Sequence, residues 1–77
     1  MTTTISELRE LMISAGMDKQ LVQGLDPSQP LIQQGVDSLD YPAFATAIEA
    51  RFGIAINDDD SLRLKTLNDF KEYLNRK

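Results

Sequence analysis

The side chain best placed for chemistry is a serine hydroxyl, that of Ser38, within the stretch GVDSLD at positions 35–40. The pattern predicts a helix start here, because the Asp37 carboxylate can accept the N–H of Asp40, and an acid at Asp40 favours a helix N-terminus. Ser38 would then lie just inside the helix, where unpaired N–H groups and the helix dipole stabilise an anion. Position alone is weak support, since a serine beside an aspartate cap is commonly only tolerated there.

Histidine and cysteine are both absent from the sequence. A serine nucleophile therefore lacks its usual base, and disulfides and cysteine-ligated metals are excluded. Any thiol chemistry has to come from a group attached later. A domain of 77 residues also buries only about 60% of its unfolded surface, which leaves little room for an internal active site. An enzyme that uses Ser38 as its nucleophile is therefore disfavoured.

A second cluster with chemical potential is the acidic stretch NDDDSLRLKTLN, at positions 57–68. A calcium-binding EF-hand loop needs an oxygen donor at its fifth position and glycine at its sixth. Counted from Asp58, those positions hold Leu62 and Arg63, so the match fails. We predict no metal site, and loose binding of divalent ions by the exposed acids stays open.

The composition is that of a folded domain, with 42% hydrophobic and 26% charged residues and a net charge of −4. We expect one domain over residues 1–77, acting as a monomer. The acids are concentrated before residue 61, and an acidic body repels nucleic acid and favours basic partners. The sequence shows neither an export signal nor an apolar run long enough to span a membrane, so the cytoplasm is the expected location.

The N-terminal half predicts one helix and a long connection. Thr4 and Glu7 have the spacing of a capping box, and apolar residues then recur at helical spacing up to Gly16, which predicts a helix over about 5–15. Residues 16–36 contain many helix breakers, with a short helical turn over 18–23. So long a connection should be held by its own apolar residues: Leu21, Val22, Leu25, Leu31 and Ile32.

The C-terminal half predicts the remaining helices. An apolar stripe follows the Asp37 cap and ends before Gly53, a short helical segment lies near 58–62, and Thr66 with Asp69 caps a last helix over about 67–75. No stretch is typical of a strand pair. These elements predict an all-α fold, a small four-helix bundle of three longer helices and one short helix with a long first loop.

Pro42 is an unusual residue for the second helix. With Asp37 as the cap, Pro42 is the fifth helical residue, and its ring nitrogen cannot donate to the carbonyl of Ser38. The first turn of that helix is therefore predicted to loosen or kink.

Taken together, GVDSLD, the helix end IEARFGIAI and the acidic turn NDDD resemble the acyl carrier protein family. That family has a Gly-x-Asp-Ser-Leu motif at the start of its second helix. The resemblance covers most of the chain, because the helix order, the long first loop and the capped last helix also agree.

The resemblance implies that Ser38 is esterified through a phosphodiester to phosphopantetheine, taken from coenzyme A by a magnesium-dependent phosphopantetheinyl transferase. Asp37 and Leu39 flank this attachment site. The arm ends in the thiol that the sequence lacks, and it would hold an acyl group as a thioester. Acyl-loading and acyl-transferring enzymes of fatty acid, specialised lipid or polyketide-type biosynthesis would be the partners, and the chain itself would catalyse nothing.

The resemblance also implies an acyl pocket between the helices, although each of its residues is more readily explained as a plain core packing residue. The pocket residues implied are Phe44, Ala47, Ile48, Ile56, Leu64 and Leu67. Partner enzymes would contact the outer face of the second helix, at residues of this chain that match the family's recognition pattern. Those residues are Asp37, Leu39, Asp40 and Glu49.

The chain departs from the family at positions that commonly carry further acids. These positions hold Ala43, Ala50 and Arg51, which thins the acidic recognition face. We therefore expect a dedicated set of partners, in a specialised lipid, polyketide or peptide pathway. One alternative stays open, which is an unmodified helical adaptor that binds protein partners without a prosthetic group.

Overall fold

The computed structural model describes residues 2–76, which contain helices and no strands. Five α-helices and one 3-10 turn follow in chain order: α1 (Ile5–Ser14), α2 (Lys19–Gln23), the turn (Ile32–Gln34), α3 (Asp40–Phe52), α4 (Asp58–Arg63) and α5 (Leu67–Asn75). The predicted all-α bundle is confirmed, and its three longer helices are α1, α3 and α5. The short turn predicted at 18–23 is a helix in its own right.

The helix starts follow from local capping. In α5 the predicted capping box is complete, because Asp69 N–H donates to Thr66 Oγ1 at 3.0 Å and Thr66 N–H donates to Asp69 Oδ2 at 3.1 Å. In α1 only half of the box forms. Thr4 Oγ1 accepts Glu7 N–H at 3.2 Å, but the Glu7 carboxylate accepts the Thr3 hydroxyl at 3.5 Å instead of returning to Thr4.

The core lies where α1 packs against α2, α3 and α5. At its centre the Phe44 ring meets the Phe70 ring edge to face, with centroids 4.9 Å apart, and the Tyr41 ring lies 5.8 Å from Phe70. Five further side chains are fully buried around this aromatic cluster: Leu8, Met12, Ile48, Leu67 and Leu74. The cluster joins the first turn of α3 to the middle of α5.

The long connection between α1 and α3 is bound to the start of α5 by backbone hydrogen bonds. Leu31 N–H donates to the Lys65 carbonyl oxygen at 2.8 Å, and Asn68 N–H donates to the Pro27 carbonyl oxygen at 3.0 Å. Among the apolar residues predicted to hold the connection, Val22, Leu25 and Leu31 are buried and Leu21 is half-buried. The prediction is wrong for Ile32, which is 54% exposed because it begins the 3-10 turn that carries it outward.

Candidate functional site

The start of α3 differs from the prediction. The helix begins at Asp40, and the Asp37 side chain does not cap it: Asp37 Oδ1 accepts Leu39 N–H at 3.0 Å, while Asp40 N–H donates to the Asp37 backbone carbonyl at 2.9 Å. An aspartate can satisfy the N–H two residues on as readily as the one three residues on. Ser38 therefore lies in the turn before α3, and not inside the helix as predicted.

This later start also changes the position of Pro42. It is the third residue of α3, where a backbone N–H would have no acceptor within the helix. The predicted loosening rested on Pro42 as the fifth helical residue, and that premise is wrong. The helix continues without interruption from Asp40 to Phe52.

Ser38 is exposed, and its hydroxyl has one weak hydrogen-bond partner within residues 2–76, Asp37 Oδ1 at 3.5 Å. The hydroxyl is therefore accessible from the solvent. With no histidine in the sequence, no imidazole is available to deprotonate it. The site thus offers a serine as an attachment point and lacks the usual base of a serine nucleophile.

Ser38 lines a groove of about 500 Å³. The groove is bounded by the segment before and within the 3-10 turn, by the first turn of α3, and by the end of α4 with the residues after it. Its lining is mostly apolar and comprises Pro30, Ile32, Gln33, Ser38, Tyr41, Pro42, Ser61, Leu62, Leu64 and Lys65. Three segments that are distant in sequence thus meet beside the serine hydroxyl.

The residues named for an acyl pocket lie mostly elsewhere. Of the six, Leu64 alone lines this groove. Phe44, Ile48 and Leu67 are fully buried core residues, and Ala47 and Ile56 are half-buried. The sequence reasoning assigned no site role to Ile32, Tyr41 or Leu62, because helical periodicity marks buried faces and does not show which exposed segments meet.

The residues named for partner recognition are partly accessible. Leu39 is 80% exposed, Asp37 is exposed and Asp40 is half-exposed, all at the entry to α3. Glu49 is half-buried, and its Oε2 accepts Ile56 N–H at 2.8 Å. Glu49 therefore fixes the loop between α3 and α4, whatever contact it makes with a partner.

Tyr41 forms part of the groove and packs on the core at the same time. Burial raises the pKa of its phenol to about 12, and the negative charge of Asp69 acts in the same direction. A raised tyrosine pKa means that the folded protein holds the neutral phenol more firmly than the unfolded chain does. This contribution is complete below about pH 10 and is lost as the pH rises toward the folded pKa.

We therefore expect the urea midpoint of the wild type to fall more steeply between about pH 9.5 and pH 11.5 than that of Tyr41→Phe. The phenylalanine keeps the ring packed against Phe70 and removes the ionising group. Equal slopes for the wild type and Tyr41→Phe would contradict the assignment.

Within residues 2–76, no group of three or more Asp and Glu side chains is arranged to hold a metal ion. None of the helices in this part of the chain is both long and apolar enough to cross a membrane.

The fold and the site together define a small helical domain with an exposed serine hydroxyl at the entry to its longest helix. A family model described as a phosphopantetheine attachment site matches residues 6–74. The chain belongs to this family of phosphopantetheine carriers, whose prosthetic group is covalently attached phosphopantetheine.

A curated relative supports the same class. The acyl carrier protein of Bdellovibrio bacteriovorus is 42% identical to this chain over 43 residues, which are 56% of this chain and 55% of the relative. The match thus spans about half the length of each protein. The exposed Ser38 hydroxyl, bordered by an apolar groove, fits the attachment of a phosphodiester-linked arm.

Proposed function

We propose that Ser38 carries phosphopantetheine, and that the chain holds acyl groups as thioesters on this arm and presents them to biosynthetic enzymes. The observation that carries the proposal is the exposed Ser38 hydroxyl in the turn before α3, inside the region that the family model matches. When attached, the group supplies the thiol that the sequence lacks. The proposal includes a monomer acting in the cytoplasm, which sedimentation and cell fractionation would test.

The neighbours of Ser38 have separate tasks in this proposal. Asp37 shapes the turn, since its carboxylate accepts Leu39 N–H at 3.0 Å and its carbonyl accepts Asp40 N–H at 2.9 Å. This turn holds the hydroxyl at the surface. Leu39, 80% exposed beside Ser38, offers an apolar contact to the phosphopantetheinyl transferase and to the enzymes that load and unload the arm.

The test is the intact mass of the purified protein after incubation with coenzyme A, magnesium and a promiscuous phosphopantetheinyl transferase. The proposal expects a gain of one phosphopantetheinyl group per chain. No gain with several transferases would contradict it and would favour the unmodified adaptor.

We further propose that this carrier serves a dedicated set of partners, in a specialised lipid, polyketide or peptide pathway. The outer face of α3 supports this, because Ala43, Ala50 and Arg51 are all exposed there, and none of them is acidic. Basic partner surfaces that depend on several acids would find few on this helix. Asp37 and Asp40 remain as proposed contacts at its start, with Leu39 between them.

A direct comparison tests the partner set. We expect the holo protein to support a general fatty acid synthase at least about tenfold less well than that system's own carrier does, since two or three charge contacts are missing. The triple variant Ala43→Glu, Ala50→Glu, Arg51→Glu should recover part of the difference, because all three positions are exposed. Equal service by the unaltered protein would rule out a dedicated set.

A further inference from the structure

The side-chain amide of Gln34 joins two parts of the long connection between α1 and α3. Gln34 is the last residue of the 3-10 turn and precedes the stretch GVDSLD. Its Oε1 accepts Asp26 N–H at 2.7 Å, and its Nε2 donates to the carbonyl oxygens of Asp26 at 3.0 Å and Gln29 at 3.1 Å. The amide therefore uses its acceptor and its donors on the backbone of residues 26–29.

The segment that Gln34 binds is itself a formed turn. Asp26 Oδ1 accepts the N–H of Ser28 at 2.9 Å and its hydroxyl at 2.8 Å, and Gln29 N–H donates to the Asp26 carbonyl oxygen at 3.2 Å. The Ser28 N–H and then the Ser28 hydroxyl lower the pKa of Asp26, because both stabilise the charged carboxylate. The turn thus presents its backbone groups to Gln34 already aligned.

This turn is also fixed to the start of α5. The Pro27 carbonyl oxygen accepts Asn68 N–H at 3.0 Å, and Leu31 N–H donates to the Lys65 carbonyl oxygen at 2.8 Å. Gln34 therefore ties the segment that leads to Ser38 to a part of the chain that is held by α5.

The path from Gln34 to Ser38 is short, and each residue along it is held. Gly35 has a φ of 95°, Val36 is buried, and the Asp37 carboxylate closes the turn before α3. A change in the position of Gln34 is therefore transmitted to the serine hydroxyl.

We propose that Gln34 is a positioning residue for the modification of Ser38: its amide holds the segment before the serine in the conformation that a phosphopantetheinyl transferase binds. The inference rests on the proposed function, because it concerns the transfer of the group to Ser38. Without the amide contacts, the folded protein populates that conformation for only part of the time, and its apparent affinity falls by the same fraction. Hydrogen bonds that are weak singly are sufficient, since they share one side chain whose ordering cost arises once.

The first test is the kinetics of transfer to Gln34→Met, which loses the amide and keeps an unbranched side chain of similar length. With coenzyme A, magnesium and a promiscuous phosphopantetheinyl transferase, we expect the KM for the protein to rise about fivefold to twentyfold. The kcat should change by less than about twofold, because the bound conformation is the same. Gln29→Met is the matched control: Gln29 is exposed and gives Gln34 only its backbone carbonyl, so its variant should keep the wild-type KM.

Amide hydrogen exchange of the unmodified protein separates positioning from a general loss of stability. Val36 N–H donates to the Leu31 carbonyl oxygen at 3.3 Å and reports on the segment before Ser38. Phe70 N–H donates to the Thr66 carbonyl oxygen at 3.2 Å and reports on α5. We expect Gln34→Met to speed the exchange of Val36 at least about fivefold more than that of Phe70.

The possible failures are distinguishable. An unchanged KM in Gln34→Met, an equal rise in Gln29→Met, or equal acceleration of the two amides would overturn the role of Gln34 and leave the carrier function standing. If the wild type itself gains no mass with several transferases, the proposed carrier function fails, and the positioning role fails with it.

Discussion

Replacing Ser38 with alanine should abolish the addition of phosphopantetheine, while Ser61→Ala should gain the group as the wild type does. Both serines line the same groove, but Ser38 is the exposed one, in the turn that precedes α3. The transfer needs a hydroxyl at the position that the transferase reaches, so loss of Ser38 Oγ leaves no acceptor. The measurement is the intact mass of each variant after incubation with coenzyme A, magnesium and a transferase.

The effect of Ser38→Ala should be chemical and not structural. The side chain is exposed, and its hydrogen bond to Asp37 at 3.5 Å is weak, so the free energy of unfolding should change by less than about 0.5 kcal/mol. Circular dichroism and urea unfolding check this. A mass gain that persists in Ser38→Ala would place the acceptor at another residue, which peptide mass spectrometry would locate.

The sequence predicted helix limits well wherever one local interaction decides them. The capping box of Thr66 and Asp69 decides where α5 begins. Gly53, with a φ of 67°, adopts the left-handed conformation that ends α3. The start of α3 is different, because Asp37 has two nearby N–H groups to accept. Its carboxylate accepts the N–H of Leu39 and not that of Asp40. Which of the two it accepts depends on backbone geometry that cannot be read from the sequence.

The site shows a second limit of sequence reasoning. Periodicity identified Phe44, Ile48 and Leu67 correctly as inward-facing, but it cannot distinguish a packed core residue from a pocket wall. The groove forms where the segments 30–33, 38–42 and 61–65 meet, and none of them has a pattern that indicates a site by itself. Ser38 itself could be singled out because its motif is contiguous, but its place in the turn before α3 could not be predicted.

The connection between α1 and α3 contains a residue, Leu31, whose truncation should change the stability strongly. Replacing Leu31 with alanine should lower the free energy of unfolding by about 2–5 kcal/mol, because its side chain is fully buried and its removal leaves a cavity. A domain of 77 residues has roughly 4–12 kcal/mol in total, so the loss is severe. Urea unfolding followed by circular dichroism measures it, and Leu31→Met, which keeps the volume, should lose less than about 1.5 kcal/mol.

The neighbouring residue is the matched control. Ile32→Ala removes an apolar side chain of similar size one position later, but that side chain is 54% exposed, so we expect a loss of at most about 1 kcal/mol. The contrast tests whether the long connection is a structural part of the domain, since Leu31 fills the interior and its N–H also bonds to Lys65 at 2.8 Å. Equal small losses in both variants would mean that the connection packs loosely. The wall of the groove that this connection contributes would then not be a fixed surface beside Ser38.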